Sequence, residues 1–478
     1  MRDVVIIGCG VIGAACAYEL SKYELDVTLL ERSNDVANGT TKANSAIVHA
    51  GYDPHPGTVM ARLNVEGNRR MGELCEKLDV PFRRIGSHVL AFSESEMETI
   101  RVLYDRGCEN GVPELRILSA AEVKEMEPNL SDEVVGSLWA PTAGVISPWE
   151  LTLALAEVAV RNGVELRLDT PVTAIERKER GFAVTTPDGV IECRYIINAA
   201  GVDAGAVHEL VGEREFDITP NRGEYFLLDK SEGARVSSVI FQCPNENGKG
   251  VLVSPTVHGN LIVGPDAQGV SDREQTQNTS GGLDFVRRAA VKSVPSISFR
   301  DNIRNFAGVR ANHASDDFLI GESRSTPGFF NLAGIKSPGL SAAPAIALEA
   351  VGYIGAHLPL REKKDFSDGR RVVRFKELSE REKNEVIARD PRYGRVICRC
   401  ETVTEGEIVA AIHSPVPPTT INGVKRRVGA GMGRCQGGFC GPRVQEILAR
   451  ELGVPLESIM LDQKGSYILT ERTKGARK

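Results

Sequence analysis

Four of the ten cysteines in this sequence lie in two short pairs near its C-terminus. Cys398 and Cys400 have one residue between them, and Cys435 and Cys440 have four. Four cysteine thiolates can hold either a zinc ion or a [2Fe-2S] cluster. A zinc knuckle usually has two residues inside each pair, which is not the spacing found here. The spacing therefore favours a two-iron cluster, with zinc as the less favoured alternative.

The residues around these cysteines predict two helices. Thr404 and Glu407 form the pattern of a capping box, so we expect a helix to begin there. Gly441-Pro442 is expected to begin another, since proline is favourable early in a helix. The four sulfur atoms should then lie on loops at helix N-termini, where partial positive charge stabilises thiolates.

Glycines at the other end of the chain predict a dinucleotide site. The apolar run Val4–Ile7 predicts a strand, and Gly8, Gly10 and Gly13 follow it as G-x-G-x-x-G. Such glycines permit a tight turn, the approach of a pyrophosphate and close packing of helix on strand. A second strand ends at Glu31, whose carboxylate could accept hydrogen bonds from an adenosine ribose. Together these features favour dinucleotide binding over a glycine-rich turn that binds nothing.

Later segments favour FAD over NAD. Residues 38–58 form a loop dense in small and hydroxyl residues, which can follow the phosphates and ring of a flavin. Residues 171–204 predict two or three strands, a turn at Pro187-Asp188-Gly189 and an apolar strand that runs into Gly201. A further strand near residue 330 runs into a glycine- and serine-rich loop. Three strands that end at glycines indicate one nucleotide-binding fold interrupted by insertions.

Composition limits the remaining possibilities. The net charge of −6 gives no basic footprint for nucleic acid. The weakly charged stretch 337–360 contains Glu349 and three prolines, so it predicts a buried helix and a loop rather than a membrane span. No secretory leader is evident, and we expect a cytoplasmic location. In a reducing compartment, paired cysteines indicate metal or redox chemistry rather than disulfides.

The glycine motif, "NAAG" and "GVRANHASDDFLIG" resemble the FAD-dependent D-amino-acid-oxidase superfamily over residues 1–360. "TTKANSAIVHAG" and "NRGEYFLLD" look most like its branch of L-2-hydroxyglutarate and glycerol-3-phosphate dehydrogenases. The glycine motif and this resemblance together give the expected FAD contacts, which are Gly8, Gly10, Val11, Ile12, Gly13, Glu31, Arg32, Thr40, Thr41, Asn44, Ser45, Val172, Ala200, Gly201, Gly334, Ser337, Pro338, Gly339 and Leu340.

The resemblance also implies the architecture. We expect an α/β, Rossmann-like FAD-binding domain, an inserted α+β substrate domain whose antiparallel sheet covers the flavin, and a small helical cysteine-cluster domain. The expected FAD-binding segments are 1–82, 141–204 and 306–360, and the substrate-domain segments are 83–140 and 205–305. The highly charged segment 361–392 is expected to be an exposed helical tether. The cluster domain is expected at 393–463, followed by a tail at 464–478.

A flavin dehydrogenase of secondary alcohols needs a base for the hydroxyl proton and a cation for an anionic substrate. Arg310 matches the superfamily position that binds a carboxylate or phosphate. The candidate bases are His49, beside the expected flavin, and then His258 and His313. Lys336 lies in the loop expected near flavin N1 and O2, where a cation would stabilise the anionic reduced ring.

Two further residues, Tyr225 and Arg222, are expected in the substrate pocket on the covering sheet. Lys336 and Arg222 are the alternative cations if Arg310 does not bind the substrate. Which histidine acts as the base is left open by the sequence.

Residues around "GRCQGGFC" resemble the bacterioferritin-associated-ferredoxin-like [2Fe-2S] domain, although that family usually has a two-residue gap in its second pair. A flavin site followed by such a domain looks like the large subunit of anaerobic glycerol-3-phosphate dehydrogenases. This implies oxidation of a small anionic alcohol, sn-glycerol 3-phosphate, to dihydroxyacetone phosphate, with electrons leaving through the cluster. It also implies a second redox subunit or other acceptor as partner, with peripheral membrane contact through that partner left open. The alternatives are a 2-hydroxy-acid dehydrogenase, an amine or amino-acid dehydrogenase, and a scaffold or sensor without turnover.

Overall fold

A computed structural model describes residues 1–244 and 250–471. The described residues form 22 strands. In chain order the strands are β1 Arg2–Ile7, β2 Val27–Leu30, β3 Ile47–Val48, β4 Phe82–Arg84, β5 Ser87–Ala91, β6 Arg116–Ser119, β7 Gly136–Ala140, β8 Gly144–Ile146, β9 Glu165–Arg167, β10 Ala174–Lys178, β11 Gly181–Thr186, β12 Gly189–Asn198, β13 Thr219–Leu228, β14 Val239–Gln242, β15 Leu252–Pro255, β16 Leu261–Gly264, β17 Gln268–Gly269, β18 Asn302–Asn312, β19 Leu319–Glu322, β20 Phe329–Ala333, β21 Val396–Cys398 and β22 Val403–Thr404.

Twelve α-helices connect and cover these strands within the same described ranges. In chain order the helices are α1 Val11–Leu20, α2 Val59–Lys77, α3 Glu94–Glu109, α4 Ala120–Met126, α5 Pro148–Arg161, α6 Ala204–His208, α7 Ser280–Ser293, α8 Gly339–His357, α9 Glu380–Arg389, α10 Glu405–Ile412, α11 Ile421–Val428 and α12 Gly441–Leu452.

The first sheet carries the predicted nucleotide fold. Strands β9, β2, β1, β12 and β20 lie side by side and parallel, with the antiparallel strands β10, β11 and β19 added to them. The three strands predicted to end at glycines are β1, β12 and β20, and they are neighbours in this sheet. Their carboxyl ends therefore meet at one edge, which is where ligands bind in open α/β sheets.

The second sheet has nine strands and was expected to be antiparallel. It is mixed, because β5 and β14 pair in parallel. These two strands belong to different segments of the substrate domain, so no hairpin connects them and sets their relative direction. The boundary predicted between residues 305 and 306 falls inside β18, which pairs with β13 along its whole length. The strand that carries Arg310 is therefore part of the second sheet.

Helix α8 is the buried helix predicted within 337–360. Among the described helices it alone is long and apolar enough to cross a membrane, but 61% of its apolar window is buried inside the protein. It packs against α1 and α2, and residues of all three helices share one core with those of α5. By its burial, α8 is a core helix of this domain.

The charged segment 361–392 is not a helical tether along its whole length. Residues 361–374 contain no helix and lie against the nucleotide-binding domain. Helix α9, which follows them, has no buried residue. Arg370 contacts Glu157 at 2.5 Å and Arg374 contacts Asp79 at 2.8 Å. The charge run predicted to be solvated is in part an interface, because its arginines meet partly buried carboxylates.

Helices α10, α11 and α12 pack around a small apolar core at the C-terminus. The predicted capping box is present: the Thr404 hydroxyl accepts from the Glu407 N–H at 3.3 Å, and the Glu407 carboxylate accepts from the Thr404 N–H at 2.7 Å. Helix α12 begins at Gly441 with Pro442 in its first turn, as predicted. The predicted tail 464–478 is described as far as residue 471, and the rest of it lies outside the described residues.

Candidate functional site

A cavity of about 1460 Å³ lies where the two sheets and the C-terminal domain meet. The first sheet and its loops contribute residues 10–12, 40–47 and 335–340. The second sheet contributes residues that include Asn221 and Arg310. The cavity is large enough for a dinucleotide and a small substrate together.

The glycine turn after β1 fits a dinucleotide phosphate. Gly8 has φ +99°, which favours glycine, and a Cβ on Gly13 would lie 1.9 Å from the Gly8 carbonyl oxygen. A Cβ on Gly10 would have only one close neighbour, the Thr41 hydroxyl at 3.2 Å. The N-cap residue of α1 is Gly10, which has no side chain to cap the helix, and the helix N-terminus faces the cavity. The Thr41 hydroxyl accepts from the Val11 N–H at 3.1 Å, and the other N–H groups of the first turn leave the positive end of the helix able to bind an anion.

Glu31 lines the cavity beside this turn. Its carboxylate accepts hydrogen bonds from the backbone N–H of Cys9 at 2.8 Å and of Ser33 at 2.9 Å. Burial raises the pKa of this carboxyl, and the two N–H groups partly offset that shift. Glu31 thus holds the turn in place, and its predicted contact with a ribose would use the remaining lone pairs of the same oxygens.

Most of the predicted FAD contacts line this one cavity, namely Gly8, Gly10, Val11, Ile12, Glu31, Arg32, Thr40, Thr41, Asn44, Ser45, Val172, Ala200, Gly201, Ser337, Pro338, Gly339 and Leu340. Gly13 and Gly334 do not line it. Gly13 instead packs against Gly8. A Cβ placed on Gly334 would lie 3.3 Å from the Cβ of His313. Their roles are to shape the backbone rather than to touch a ligand.

Arg310 lines the cavity on β18, opposite Asn221 on β13. Its guanidinium donates to the Asn221 side-chain oxygen at 2.6 Å and to the Asp266 carbonyl oxygen at 3.2 Å. The group lies across Gly223, where a Cβ would come within 2.2 Å of it. Within residues 1–244 and 250–471 no carboxylate forms an ion pair with Arg310. Its charge is therefore available to an anionic ligand.

His49 lines the cavity just after β3. Its Nε2 lies 3.1 Å from the Ser337 hydroxyl, and its ring stacks on Phe241 with centroids 5.7 Å apart. Its backbone N–H donates to the Ser341 hydroxyl at 2.7 Å. Contacts with the loop before α8 and with β14 thus fix the ring where the two sheets face each other.

His258 also lines the cavity, but its Nε2 lies 2.8 Å from the Glu150 carboxylate. Burial raises the pKa of Glu150, but His258 and Arg374 outweigh this and bring it below its usual value. The contact holds the His258 ring against the Glu150 carboxylate at the start of α5. Glu150 belongs to no sequence motif, so sequence reasoning missed it.

Two predicted residues lie away from the cavity. His313 is partly buried outside the cavity lining, with its Nδ1 2.7 Å from the Ser315 hydroxyl. Arg222 is buried on the opposite face of β13, paired with Glu224 at 2.9 Å. Side chains alternate along a strand, so Arg222 cannot share the cavity face of Asn221. The prediction of Arg222 as a pocket residue is wrong, and the position of His313 argues against a role as base.

Lys336 and Tyr225 do line the cavity. Lys336 forms an ion pair with the exposed Asp316, so its charge is partly compensated. The Tyr225 hydroxyl lies 3.2 Å from the Ser45 hydroxyl, and its ring stacks on Phe306 with centroids 4.8 Å apart. Tyr225 therefore joins the covering sheet to the loop that carries four of the predicted FAD contacts.

The four clustered cysteines form a second site. The sulfur of Cys400 lies 3.7 Å from that of Cys398 and 3.9 Å from that of Cys435, and all four thiols are free. These distances exclude disulfides and suit thiolates that share one centre. A hydrogen bond from Cys440 is the largest effect lowering the pKa of Cys398 to about 5.

The sulfurs do not all lie at helix N-termini as predicted. Cys440 directly precedes α12, but Cys398 ends β21 and Cys400 lies in the turn after it. Backbone N–H groups in turns take the place of a helix N-terminus: those of Gly431 and Glu401 donate hydrogen bonds to the Cys398 sulfur and lower its pKa. Such N–H groups stabilise negative sulfur without a helix.

The cysteine site lies next to the cavity described above. Gln436, next to Cys435, lines the cavity and accepts hydrogen bonds from Lys425 at 3.2 Å and Arg304 at 3.4 Å. Burial, then the charge of Arg304, lowers the pKa of Lys425 to about 8. Sequence reasoning missed these residues, because their meeting depends on how the C-terminal domain docks.

That docking depends on a buried charge cluster. Asp35, which is 3% exposed in the loop after β2, contacts Arg427 at 2.8 Å and Arg426 at 2.9 Å on α11. Burial raises the pKa of Asp35, but Arg427 and then Arg426 outweigh it and bring the pKa below its usual value. The carboxylate thus joins the nucleotide-binding domain to the cysteine domain.

Comparison with known proteins gives the family. The family model described as "FAD dependent oxidoreductase" (DAO) matches residues 3–352, and the "BFD-like [2Fe-2S] binding domain" matches residues 396–450. A glycerol 3-phosphate dehydrogenase of Caloramator mitchellensis is 53% identical over 476 residues, covering 99% of both chains. A glycerol 3-phosphate oxidase of Mycoplasma pneumoniae is 36% identical over 361 residues, covering 73% of this chain and 94% of that one.

A solved structure agrees with these matches. It is the L-alpha-glycerophosphate oxidase of Mycoplasma pneumoniae with FAD bound, which superposes with a TM-score of 0.74 at 34% identity. It covers 77% of this chain, and 97% of its own length is matched. The predictions of FAD and of a two-iron cluster rather than zinc are confirmed. This chain belongs to the DAO family of FAD-dependent oxidoreductases and carries a BFD-like [2Fe-2S] domain at its C-terminus.

Proposed function

We propose that this protein oxidises sn-glycerol 3-phosphate to dihydroxyacetone phosphate and passes the electrons to a partner through its [2Fe-2S] domain. The observation that carries the proposal is that Arg310 and His49 line the same cavity as the dinucleotide turn. The substrate itself is suggested by the glycerol 3-phosphate dehydrogenase that matches 99% of this chain, cysteine domain included.

Arg310 is suited to the phosphate of this substrate. A guanidinium fork can donate two parallel hydrogen bonds to a phosphate or carboxylate. Asn221 and the Asp266 carbonyl, both neutral groups, fix its orientation. We therefore assign it the role of anion clamp, which positions the C2 hydroxyl of the substrate inside the cavity.

His49 is the proposed base for the C2 hydroxyl proton. Bound FAD supplies the acceptor for the hydride from C2, and the bound cluster supplies a one-electron carrier. His49 is favoured over His258 because it lies beside the loop before α8, with its Nε2 3.1 Å from the Ser337 hydroxyl, whereas the Nε2 of His258 is held by the Glu150 carboxylate at the start of α5. An imidazole at this place could take the hydroxyl proton of a substrate bound in the cavity.

A second substrate has some support. L-2-hydroxyglutarate dehydrogenase of Escherichia coli K12 is 29% identical over 399 residues, and a carboxylate would suit Arg310 equally. That relative matches only 74% of this chain. We therefore keep the 2-hydroxy acid as the alternative, to be decided by experiment.

The test is anaerobic bleaching of the flavin by a panel of glycerol 3-phosphate, L-2-hydroxyglutarate and small amino acids. We expect glycerol 3-phosphate to bleach the flavin at the lowest concentration. Arg310→Ala should weaken apparent substrate affinity about tenfold to a hundredfold, since a charged hydrogen bond contributes roughly 1.5–3 kcal/mol. Arg310→Lys keeps the positive charge but loses the two parallel donors of the guanidinium, so its apparent substrate affinity should lie between those of wild type and Arg310→Ala. Bleaching by L-2-hydroxyglutarate alone would select the alternative.

The two histidines can be compared directly. His49→Asn should slow flavin reduction by a factor on the order of 10² to 10⁴, the usual cost of losing a general base. His258→Asn should leave the rate within a few fold while disturbing the contact with Glu150. The reverse pattern would move the base to His258.

A further inference from the structure

The loop from Cys435 to Cys440 has two different faces. On one face, Gln436 lines the cavity and contacts Lys425 at 3.2 Å. On the other face, Phe439 is 81% exposed. Cys400, whose sulfur is 3.9 Å from that of Cys435, is also exposed. The cysteine centre therefore lies between the cavity and the outer surface of the protein.

Phe439 is attached directly to this centre. Its backbone N–H is the leading donor to the Cys435 sulfur, followed by the N–H groups of Gly437 and Gly438. Its ring nevertheless points to solvent, and it is the most exposed large apolar side chain among the described residues. A buried aromatic anchor is what interfaces favour at their centre, so an exposed one beside a redox site marks a contact surface.

Three arginines lie close in sequence to the cysteines of this centre. Arg399, next to Cys400, is exposed and forms no ion pair with the residues that the structure describes. Arg434 is 67% exposed and pairs with Asp229 and, at 4.0 Å, with Asp301. Arg443 is 70% exposed and pairs with Glu446. The acidic group next to Cys400, Glu401, is buried and paired with Lys230.

The balance of charge on this surface differs from that of the whole chain. The chain has a net charge of −6, yet Arg399 adds an uncompensated positive charge beside one cysteine. Arg434 directly precedes Cys435 and Arg443 follows Cys440 by three residues. Positive residues around an apolar centre complement an acidic protein that has an apolar contact point.

We infer that the surface formed by Arg399, Cys400, Arg434, Gly438, Phe439 and Arg443, here called the Phe439 face, docks a soluble one-electron carrier protein with an acidic rim. The inference rests on the proposed function, in that electrons leave through the cysteine domain. Each encounter delivers one electron to the carrier. Two carrier molecules are therefore reduced for each alcohol oxidised, and two protons are released to solvent.

The test uses the holoenzyme reduced anaerobically with dithionite and mixed with an acidic cytochrome or with a basic cytochrome c, while haem absorbance is followed. With the acidic cytochrome, the rate should be high at low salt and fall steeply as salt is added. Arg399→Glu should lower that rate about tenfold at low salt, because a charge reversal removes an attraction and adds a repulsion. Phe439→Ser should lower it at every salt concentration.

Arg180→Glu is the matched control, since Arg180 is an exposed arginine in the turn after β10, far along the chain from the cysteines. It should leave the rate unchanged. Flavin content and the paramagnetic resonance signal of the reduced cluster should equal wild type in all variants, which shows that they fold. With the basic cytochrome, added salt and Arg399→Glu should not lower the rate.

Two results would overturn the inference. One is a rate to the acidic cytochrome that neither salt nor Arg399→Glu changes. The other is binding to phosphatidylserine vesicles that Phe439→Ser abolishes, which would make the face a membrane contact. Because dithionite supplies the electrons, the docking result is independent of the substrate. A failure of glycerol 3-phosphate to bleach the flavin would refute the proposed function alone.

Discussion

Replacing Asp35 by asparagine should loosen the cysteine domain from the nucleotide-binding domain. The carboxylate is almost fully buried and holds Arg427 through both of its oxygens, at 2.8 and 2.9 Å. It also accepts from Arg426 at 2.9 Å. Asparagine keeps the size of the side chain but removes its charge, so Arg427 loses its carboxylate partner, whereas Arg426 keeps a second one, Asp462 at 3.1 Å.

The magnitude follows from the burial. Removing one partner of a buried ion pair costs about 3–5 kcal/mol, because the remaining charge is left uncompensated. The cost falls on the contact between domains, since Asp35 and the two arginines belong to different domains. About 3 kcal/mol corresponds to a change of roughly a hundredfold in the ratio of docked to undocked molecules.

Stopped-flow measurements should detect this change. In Asp35→Asn, flavin reduction by glycerol 3-phosphate should proceed nearly as in wild type, while the appearance of reduced cluster should slow, by up to about a hundredfold, as the docked fraction falls. Asp26→Asn is the control, because Asp26 pairs with Arg2 at a half-exposed surface site. Exposed pairs contribute only about 0–1 kcal/mol, so this variant should behave as wild type.

The pH dependence gives a second readout. The pKa of Asp35 is lower in the folded protein than in the unfolded chain. The pair therefore stabilises docking fully above about pH 4, the unfolded value, and the contribution is lost as the pH falls through the folded pKa. The difference between wild type and Asp35→Asn should shrink over that acid range. Equal transfer rates in both proteins at neutral pH would refute the role assigned to Asp35.

Three further changes test other parts of the site. Gly10→Val should give folded but colourless protein, because the added side chain would occupy the place of the pyrophosphate, as flavin absorbance and circular dichroism can show. Gly13→Val should instead fail to fold stably, since its Cβ would lie 1.9 Å from the Gly8 carbonyl oxygen, and a lowered melting temperature is the check. Cys435→Ser should retain FAD and its reduction by substrate but lose turnover with a protein acceptor, as steady-state assays with a small dye and with a cytochrome can compare.

Local patterns in the sequence predicted local structure well. The glycine turn at Gly8, the capping box at Thr404 and the helix that begins at Gly441 all depend on neighbouring residues, and all are present. The three parallel strands followed from the repeated pattern of an apolar run that ends at glycine. Hydrogen-bonding and conformational rules within a few residues are enough for such features.

Contacts between segments far apart in the chain could not be predicted from the sequence. The parallel contact of β5 with β14 joins segments about 150 residues apart, and no local rule sets its direction. Arg222 was placed in the pocket because the face of β13 cannot be read from composition, and a shift of one residue reverses it. Likewise Asp35 and Lys425 carry no motif, and their roles arise only when the cysteine domain docks against the nucleotide-binding domain.

The central claim is that substrate electrons pass from the flavin to a two-iron cluster in the same chain. Its most direct test adds sn-glycerol 3-phosphate to the oxidised holoenzyme without oxygen, and follows flavin absorbance together with low-temperature electron paramagnetic resonance. The account predicts that the flavin bleaches and that the signal of a reduced [2Fe-2S] cluster appears, whereas Cys435→Ser shows bleaching without that signal. Bleaching in the wild-type protein with no cluster signal, while dithionite does produce one, would contradict it.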